Sequence, residues 1–109
     1  MDIHVVYVTF SSGEEAERLA TSLVEQRLVA CANISSPVTS IYEWEGKVHK
    51  ASEVVMMAKT QAANLDAVIQ HIQEQHSYTC PCIVTWPIAK GHEPYLEWIT
   101  RSSMRPGPA

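Results

Sequence analysis

The chain has 109 residues, 46% hydrophobic and 18% charged, with a formal net charge of −4 at pH 7. That length fits one domain with a core that needs no disulfide staples, and the balance lies outside the ranges of disordered and membrane-embedded chains. No apolar run approaches the roughly 20 residues of a membrane-spanning helix, and the eight Lys and Arg are scattered rather than gathered into the basic face that nucleic acid requires.

The opening MDIHVVYVTF lacks a basic segment and a small-residue cleavage site, so no signal peptide is expected. Three cysteines cannot all pair within one chain. Together these point to reduced thiols and a cytoplasmic location. Residues 3–9, IHVVYVT, form a β-branched run that predicts a buried strand. Ser11/Glu14 and Ser12/Glu15 both fit a capping box. Ala16, Leu19, Ala20, Leu23, Val24 and Leu28 then recur at helical spacing, which predicts a helix over 13–28. Val29–Ile34 is the next apolar run and the second predicted strand. Ser35-Ser36-Pro37 is expected to interrupt it as a bulge or an edge distortion, since proline cannot donate to a ladder.

Ser40 to Val48 reads as strand, tight turn, strand, with Gly46 supplying a positive φ. Glu53 to Lys59 continues as a strand. Leu65, Val68, Ile69 and Ile72 mark a second amphipathic helix over 62–75. His76-Ser77-Tyr78-Thr79-Cys80-Pro81-Cys82 feeds a last strand over 83–86. A short helix follows Pro94, which suits a first helical turn. Tyr95, Leu96, Trp98 and Ile99 give that helix an apolar face. Residues 1–103 are read as one domain and 104–109 as a flexible tail.

A weak internal repeat appears on shifting the chain by forty-nine residues. Val5 and Val6 fall on Val54 and Val55, Leu19 on Val68, Leu23 on Ile72, and Cys31 on Cys80. Each half is then strand, helix, strand. Two such halves give an α+β chain of ferredoxin-like βαββαβ order with an added C-terminal helix. Right-handed crossovers place the first two helices on one face of the sheet. The other face is left bare, and a bare apolar face implies a partner.

Leu28-Val29-Ala30-Cys31-Ala32-Asn33-Ile34, Thr39 to Lys47, Lys59-Thr60, His76 to Pro81, and Pro87-Ile88 through Tyr95-Leu96-Glu97-Trp98-Ile99 together resemble the CutA family of divalent-cation tolerance proteins. The resemblance runs from about Val5 to Ile99. It implies a homotrimer like that of the P-II signalling proteins, in which long strands around 31–60 extend a neighbour's sheet. It also implies a link to tolerance of copper or another divalent metal, with no obligatory cofactor and no catalytic mechanism. Copper-binding members resemble one another in a first-strand cysteine, where this chain has Val8, and in a histidine pair, where it has Gln75-His76. The family usually places valine or threonine before the proline and glutamate after it, so Cys80 and Cys82 depart from its pattern.

The residues and the resemblance give two candidate sites. Thiolates suit soft metals, and Cys80 and Cys82 on one strand face, with His76 nearby, form the candidate metal set His76, Cys80 and Cys82. Lys59 resembles the lysine of the family's Lys-Thr pair, and the resemblance implies that Lys59, Tyr42, Trp44 and Glu97 line a ligand cleft between subunits. Cys31 sits in an apolar context and reads as structural. His4, His49, His71 and His92 stand alone. A P-loop, a dinucleotide fingerprint and a nucleophile elbow are all absent from the sequence, so an enzyme is not expected. Three functions remain: a metal-tolerance trimer, a P-II-like regulator that takes a small anion in its cleft, and a structural scaffold.

Overall fold

The computed structural model describes residues 1–105, so positions 106–109 of the expected tail lie outside the described residues. Its elements are β1 (Ile3–Phe10), α1 (Gly13–Glu25), β2 (Cys31–Ile34), β3 (Val38–Trp44), β4 (Lys47–Gln61), α2 (Leu65–Gln75), β5 (Ile83–Pro87) and α3 (Glu93–Ser102), with a 3₁₀ turn at Ala62–Asn64 leading into α2. One antiparallel sheet runs in the order β2-β4-β1-β5, and β3 pairs with the first half of β4.

The core lies on one face of this sheet. Val6, Val8 and Phe10 sit opposite Ala58, Met56 and Val54 across the β1–β4 ladder. Residues paired across a ladder share a face, and these six meet Ala16, Leu19 and Leu23 of α1 and Val68 and Ile72 of α2. The two helices therefore share that face. The helical half of the forty-nine-residue repeat holds, because Leu19 and Val68, like Leu23 and Ile72, are all buried. The strand half slips by one: Val6, Val8 and Phe10 face the helices, and so do Val54, Met56 and Ala58. The repeat is thus one of element order, not of strand register.

Helix α1 begins as its sequence dictates. The N-cap is Ser12, whose Oγ accepts from the Glu15 N–H at 3.2 Å. It ends at Glu25 rather than at 28. Leu28 N–H bonds Leu23 O and Arg27 N–H bonds Val24 O, both at 3.0 Å. This is a Schellman closure, with Arg27 at φ 58° where glycine is usual. The Arg27 guanidinium offsets that strain by reaching the carbonyls of Met104 at 2.7 Å and Arg101 at 2.5 Å, capping the end of α3. Val29 and Ala30 belong to the resulting turn, so β2 is shorter than its apolar run.

Between β2 and β3 the pairing with β4 gains one residue. Ile34 pairs with Met56 and Val38 with Glu53, so Ser35-Ser36-Pro37 stands opposite Val54-Val55. This is the expected bulge, held by Ser35 N–H to Val55 O and Val55 N–H to Ser35 Oγ, both at 2.9 Å. The β3–β4 hairpin then closes through Glu45 at φ 52° and Gly46 at φ 77°. Two successive positive φ values define a type I′ turn, whose twist matches the strands. Glycine explains only the second position.

The face away from α1 and α2 carries Val5, Tyr7, Val55, Met57, Lys59, Val84 and Trp86 by register. Helix α3 covers one end of it, where Ile99 packs on Ile3 and Ala30 with Leu96 and Ile88 at the margin. Of the expected apolar face of α3, Ile99 is buried, whereas Tyr95 and Trp98 stack on each other in the open.

A buried amide ties the parts together. The Asn64 Nδ2 donates to Ser103 O at 2.6 Å, and to Leu28 O and Thr60 Oγ1, each at 3.2 Å. One side chain thus joins the turn after α1, the end of β4 and the end of α3. Truncation to Asn64→Ala leaves buried acceptors short of a donor, which costs roughly 1–3 kcal/mol. Chemical denaturation is expected to show that loss as a lower midpoint with an unchanged slope.

Candidate functional site

The site is built around the segment that links α2 to β5. At His76 the backbone leaves the helix, with φ −76° and ψ 141°. The imidazole stacks on Phe10 with ring centroids 4.6 Å apart. Its Nε2–H donates to the Thr9 carbonyl at 2.8 Å, and its Nδ1 accepts from the Tyr78 N–H at 3.0 Å. This network assigns the proton to Nε2. The Glu15 carboxylate lies 3.9 Å from Nδ1. That carboxylate also accepts from Ser77 N–H at 2.8 Å and from Ser77 Oγ–H at 2.9 Å.

These bonds change the expected metal set. A ligating imidazole offers a free lone pair, and the one unprotonated nitrogen of His76 is already accepting from the backbone. His76 is therefore a structural histidine that locks the loop onto β1. Among the described residues, no group of three His, Cys, Asp or Glu side chains is placed to hold a metal. The expectation that Cys80 and Cys82 share a strand is also corrected, because β5 begins at Ile83 and both cysteines precede it.

Cys80 and Cys82 are nevertheless exposed free thiols on one cavity of about 550 Å³. Tyr7, Tyr42, Trp44 and Tyr78 supply its aromatic walls, and Glu53 its carboxylate. The bulge explains why Tyr42 and Trp44 reach it. They pair with His49 and Lys47, which share the alternation of Glu53, Val55 and Met57 and so face away from the helices.

Two ionisable groups in the cavity hold each other. Tyr78 Oη–H donates to Glu53 Oε2 at 2.8 Å. Burial alone would raise the Glu53 carboxyl, but the hydroxyls of Ser40, Tyr78 and Thr9, with His76 nearby, outweigh it and hold the group below its ordinary value of 4.5. Burial first, and then the Glu53 bond and charge, push the Tyr78 phenol up to about 12. Burial followed by the Glu53 charge raises the Cys82 thiol.

Of the expected ligand cleft, Tyr42 and Trp44 meet in this cavity. Lys59 lies elsewhere on the open face, 3.4 Å from Asn33 Oδ1 and 5.8 Å above the Tyr95 ring. Tyr95 also contacts Cys31, with Oη 3.6 Å from Sγ. Glu97 is exposed on α3. Within one protomer Lys59 and Glu97 therefore lie apart from Tyr42 and Trp44. Sequence reasoning missed Tyr7, Glu53 and Tyr78 as cavity residues. Glu53 could have been found from its odd-numbered alternation with Val55 and Met57 along β4.

The remaining histidines have local roles. His71 Nε2 meets Ser22 Oγ at 3.0 Å between the two helices. His4 meets Asp2 at 3.0 Å, His49 stacks on Tyr42 and His92 is the N-cap of α3.

Comparison with known proteins matches residues 4–102 to the family described as CutA1 divalent ion tolerance protein. The divalent-cation tolerance protein CutA of Archaeoglobus fulgidus is 44% identical over 94 residues, which cover 86% of this chain and 91% of that protein. The chloroplastic protein CutA of Arabidopsis thaliana is 40% identical over 99 residues, or 91% of this chain and 54% of that protein. This chain thus spans about half the length of its plant relatives. Among solved structures, CutA1 from Oryza sativa superposes with a TM-score of 0.92 at 38% identity, covering 98% of this chain and 97% of that one. The periplasmic divalent cation tolerance protein CutA from Archaeoglobus fulgidus gives 0.90 at 40% identity, covering 94% and 99%.

The lowered Glu53 carboxyl has a signed consequence. A group that binds its proton more weakly folded than unfolded stabilises the fold above the unfolded value and loses that contribution as pH falls. Thermal melts of wild type are expected to drop as pH falls below the ordinary 4.5. Glu53→Gln is expected to flatten that limb, and an unchanged acid limb would show that Glu53 does not carry it.

Proposed function

The chain belongs to the CutA1 divalent ion tolerance family, and on that premise we propose that it acts as a non-enzymatic homotrimer of ferredoxin-like protomers that serves tolerance to divalent metal, copper included. The family is named for tolerance and not for a reaction. The strand order β2-β4-β1-β5, with α1 and α2 on one face, supports the ferredoxin-like reading. Three free cysteines suit a reducing compartment, and the cytoplasm is the proposed location.

One observation carries the trimer. The sheet face opposite α1 and α2 leaves Met57, Val84 and Trp86 substantially exposed, and the hairpin beyond it exposes Ile41, Val48 and Trp44. Apolar surface on this scale marks an interaction site. A hairpin arm that reaches past its own core suits the edge of a neighbour's sheet, with backbone groups giving affinity and side chains giving register. Three copies closing a ring bury every such face without leaving an open end.

Light scattering at micromolar concentration is expected to give the mass of three chains, and a single-chain mass overturns the reading. Trp86→Glu places a charge on the open face and is expected to shift the mass toward one chain. Metal association is expected to raise the melting temperature when Cu(II) or Zn(II) is added in excess. A ligand at a hundred times its Kd stabilises by about 2.7 kcal/mol. No shift with any divalent ion would leave a structural scaffold in place of a metal protein.

The P-II-like regulator is the second reading. It needs a neighbour's Lys59 to meet Tyr42 and Trp44 across a subunit boundary, and the placement of all three on one side of the sheet, with both aromatics exposed and Lys59 half-buried, is what favours it.

A further inference from the structure

We infer that the free edge of β2 and the groove between it and α1 form a docking site for an extended segment of a different protein, one that presents basic, apolar and basic side chains at alternate positions. The inference takes nothing from the proposed function. It concerns the helix-bearing side of the sheet, away from the open face and the hairpin arm that the proposed trimer covers.

Strand β2 stands at the end of the sheet order and pairs on one side only, with β4. The direction of its free groups follows from β4. Val55 O accepts from Ser35 N–H at 2.9 Å and Lys59 O from Ala30 N–H at 2.8 Å, so the odd-numbered residues of β4 turn their backbone groups toward β2. Their partners Asn33 and Cys31 answer them, and the N–H and C=O groups of Ala32 and Ile34 point outward. Cys31–Ile34 contain neither lysine nor proline, the usual guards of an open edge. Two donors and two acceptors are thus offered to an added strand.

Side chains of that strand opposite Ala32 and Ile34 share their face, which is the face that packs beneath the helices. There they meet a cavity of about 430 Å³ lined by Ala20, Ala32 and Ile34, with Val24 of α1 40% exposed beside them. Among the described residues its only charged side chains are Glu17 and Glu25. Eight residues separate them on α1, roughly 12 Å along the helix axis. Positions i and i+4 of an extended chain lie roughly 13 Å apart and share a face with i+2. Basic residues at i and i+4 therefore match the two carboxylates, and an apolar residue at i+2 falls between them against Val24.

Glu25 holds its place at a cost to the helix. It lies in the last turn of α1, where the helix end carries partial negative charge and no basic residue offsets it. The charges also choose the occupant. A second copy paired β2 to β2 sets each acidic pair against its counterpart, and like charges repel. Nor does the chain carry the pattern itself: its only Lys or Arg residues four apart are Arg101 and Arg105, with Ser103 between them and Arg101 inside α3.

The test measures fluorescence anisotropy of labelled, end-capped peptides titrated with the full chain. TKTVTKT carries the pattern. KTTVTTK has the same composition with its lysines on the face opposite the valine, and TETVTET reverses the charge. TKTVTKT is expected to bind, and the other two to bind about tenfold or more weakly, because two charge pairs are lost or reversed. Glu17→Lys/Glu25→Lys is expected to exchange the preference in favour of TETVTET while melting no lower than wild type, since both side chains are exposed. Ala32→Pro removes an outward donor and is expected to abolish binding. No binding of TKTVTKT at millimolar concentration overturns the inference, as does equal binding of the three peptides, an unchanged preference in the double variant, or unchanged binding by a folded Ala32→Pro. A three-chain mass without peptide binding sinks this inference and keeps the proposed trimer. A single-chain mass with selective peptide binding does the reverse.

Discussion

One extra residue opposite β4 decides which side chains the open face presents. Strand β4 is the long member that every other strand but β5 pairs with, and its alternation is fixed by Val54, Met56 and Ala58 in the core. Ser35-Ser36-Pro37 stands opposite only two β4 residues, so the partner strand changes phase there. Without the bulge, Tyr42 and Trp44 would turn to the opposite face of the sheet. A one-residue slip exchanges the two faces of a strand wholesale. The proline is the chemical cause, because it removes a ladder donor at the point where the phase changes.

The second constraint is the loop from His76 to Cys82. It leaves the helix side of the sheet and arrives on the open side, and each part of that passage is bonded. His76 stacks on a core phenylalanine, Glu15 holds Ser77, and Glu53 holds Tyr78. Glu15 is buried, and it lies in the first turn of α1. A carboxylate there interacts favourably with the positive end of the helix and accepts the two Ser77 bonds at once. The capping pattern Ser12/Glu15 is thus half kept: Ser12 caps, while Glu15 joins the helix start to a loop sixty-two residues away.

Much of the fold was legible because periodicity survives wherever a face is buried. The strand 3–9, the two core helices, the bulge at Ser35–Pro37 and the turn at Gly46 all follow from local pattern. The end of α1 did not, because Leu28 continues the apolar period and is buried from within a turn. Its stop signal is an arginine in a conformation that usually announces itself with glycine. The site was less legible. Cys80 and Cys82 were singled out as metal candidates and Tyr42 and Trp44 as residues of a cleft between subunits, and within the protomer all four border one cavity. The bonds of His76 are to backbone groups of Thr9 and Tyr78, which leave no mark in sequence. Lys59 and Glu97 were grouped with the aromatics by family likeness, and in the protomer they stand apart.

The Arg27 contact with the end of α3 has a temporal side. Arg27 adopts its left-handed backbone as α1 closes, but the carbonyls that its guanidinium satisfies lie seventy-four and seventy-seven residues further on. During synthesis the first helix, its turn and most of the sheet exist before those acceptors do. The acceptors of Arg27 are therefore the last part of the chain to be made, and one side chain ties the turn after the first helix to the end of the last.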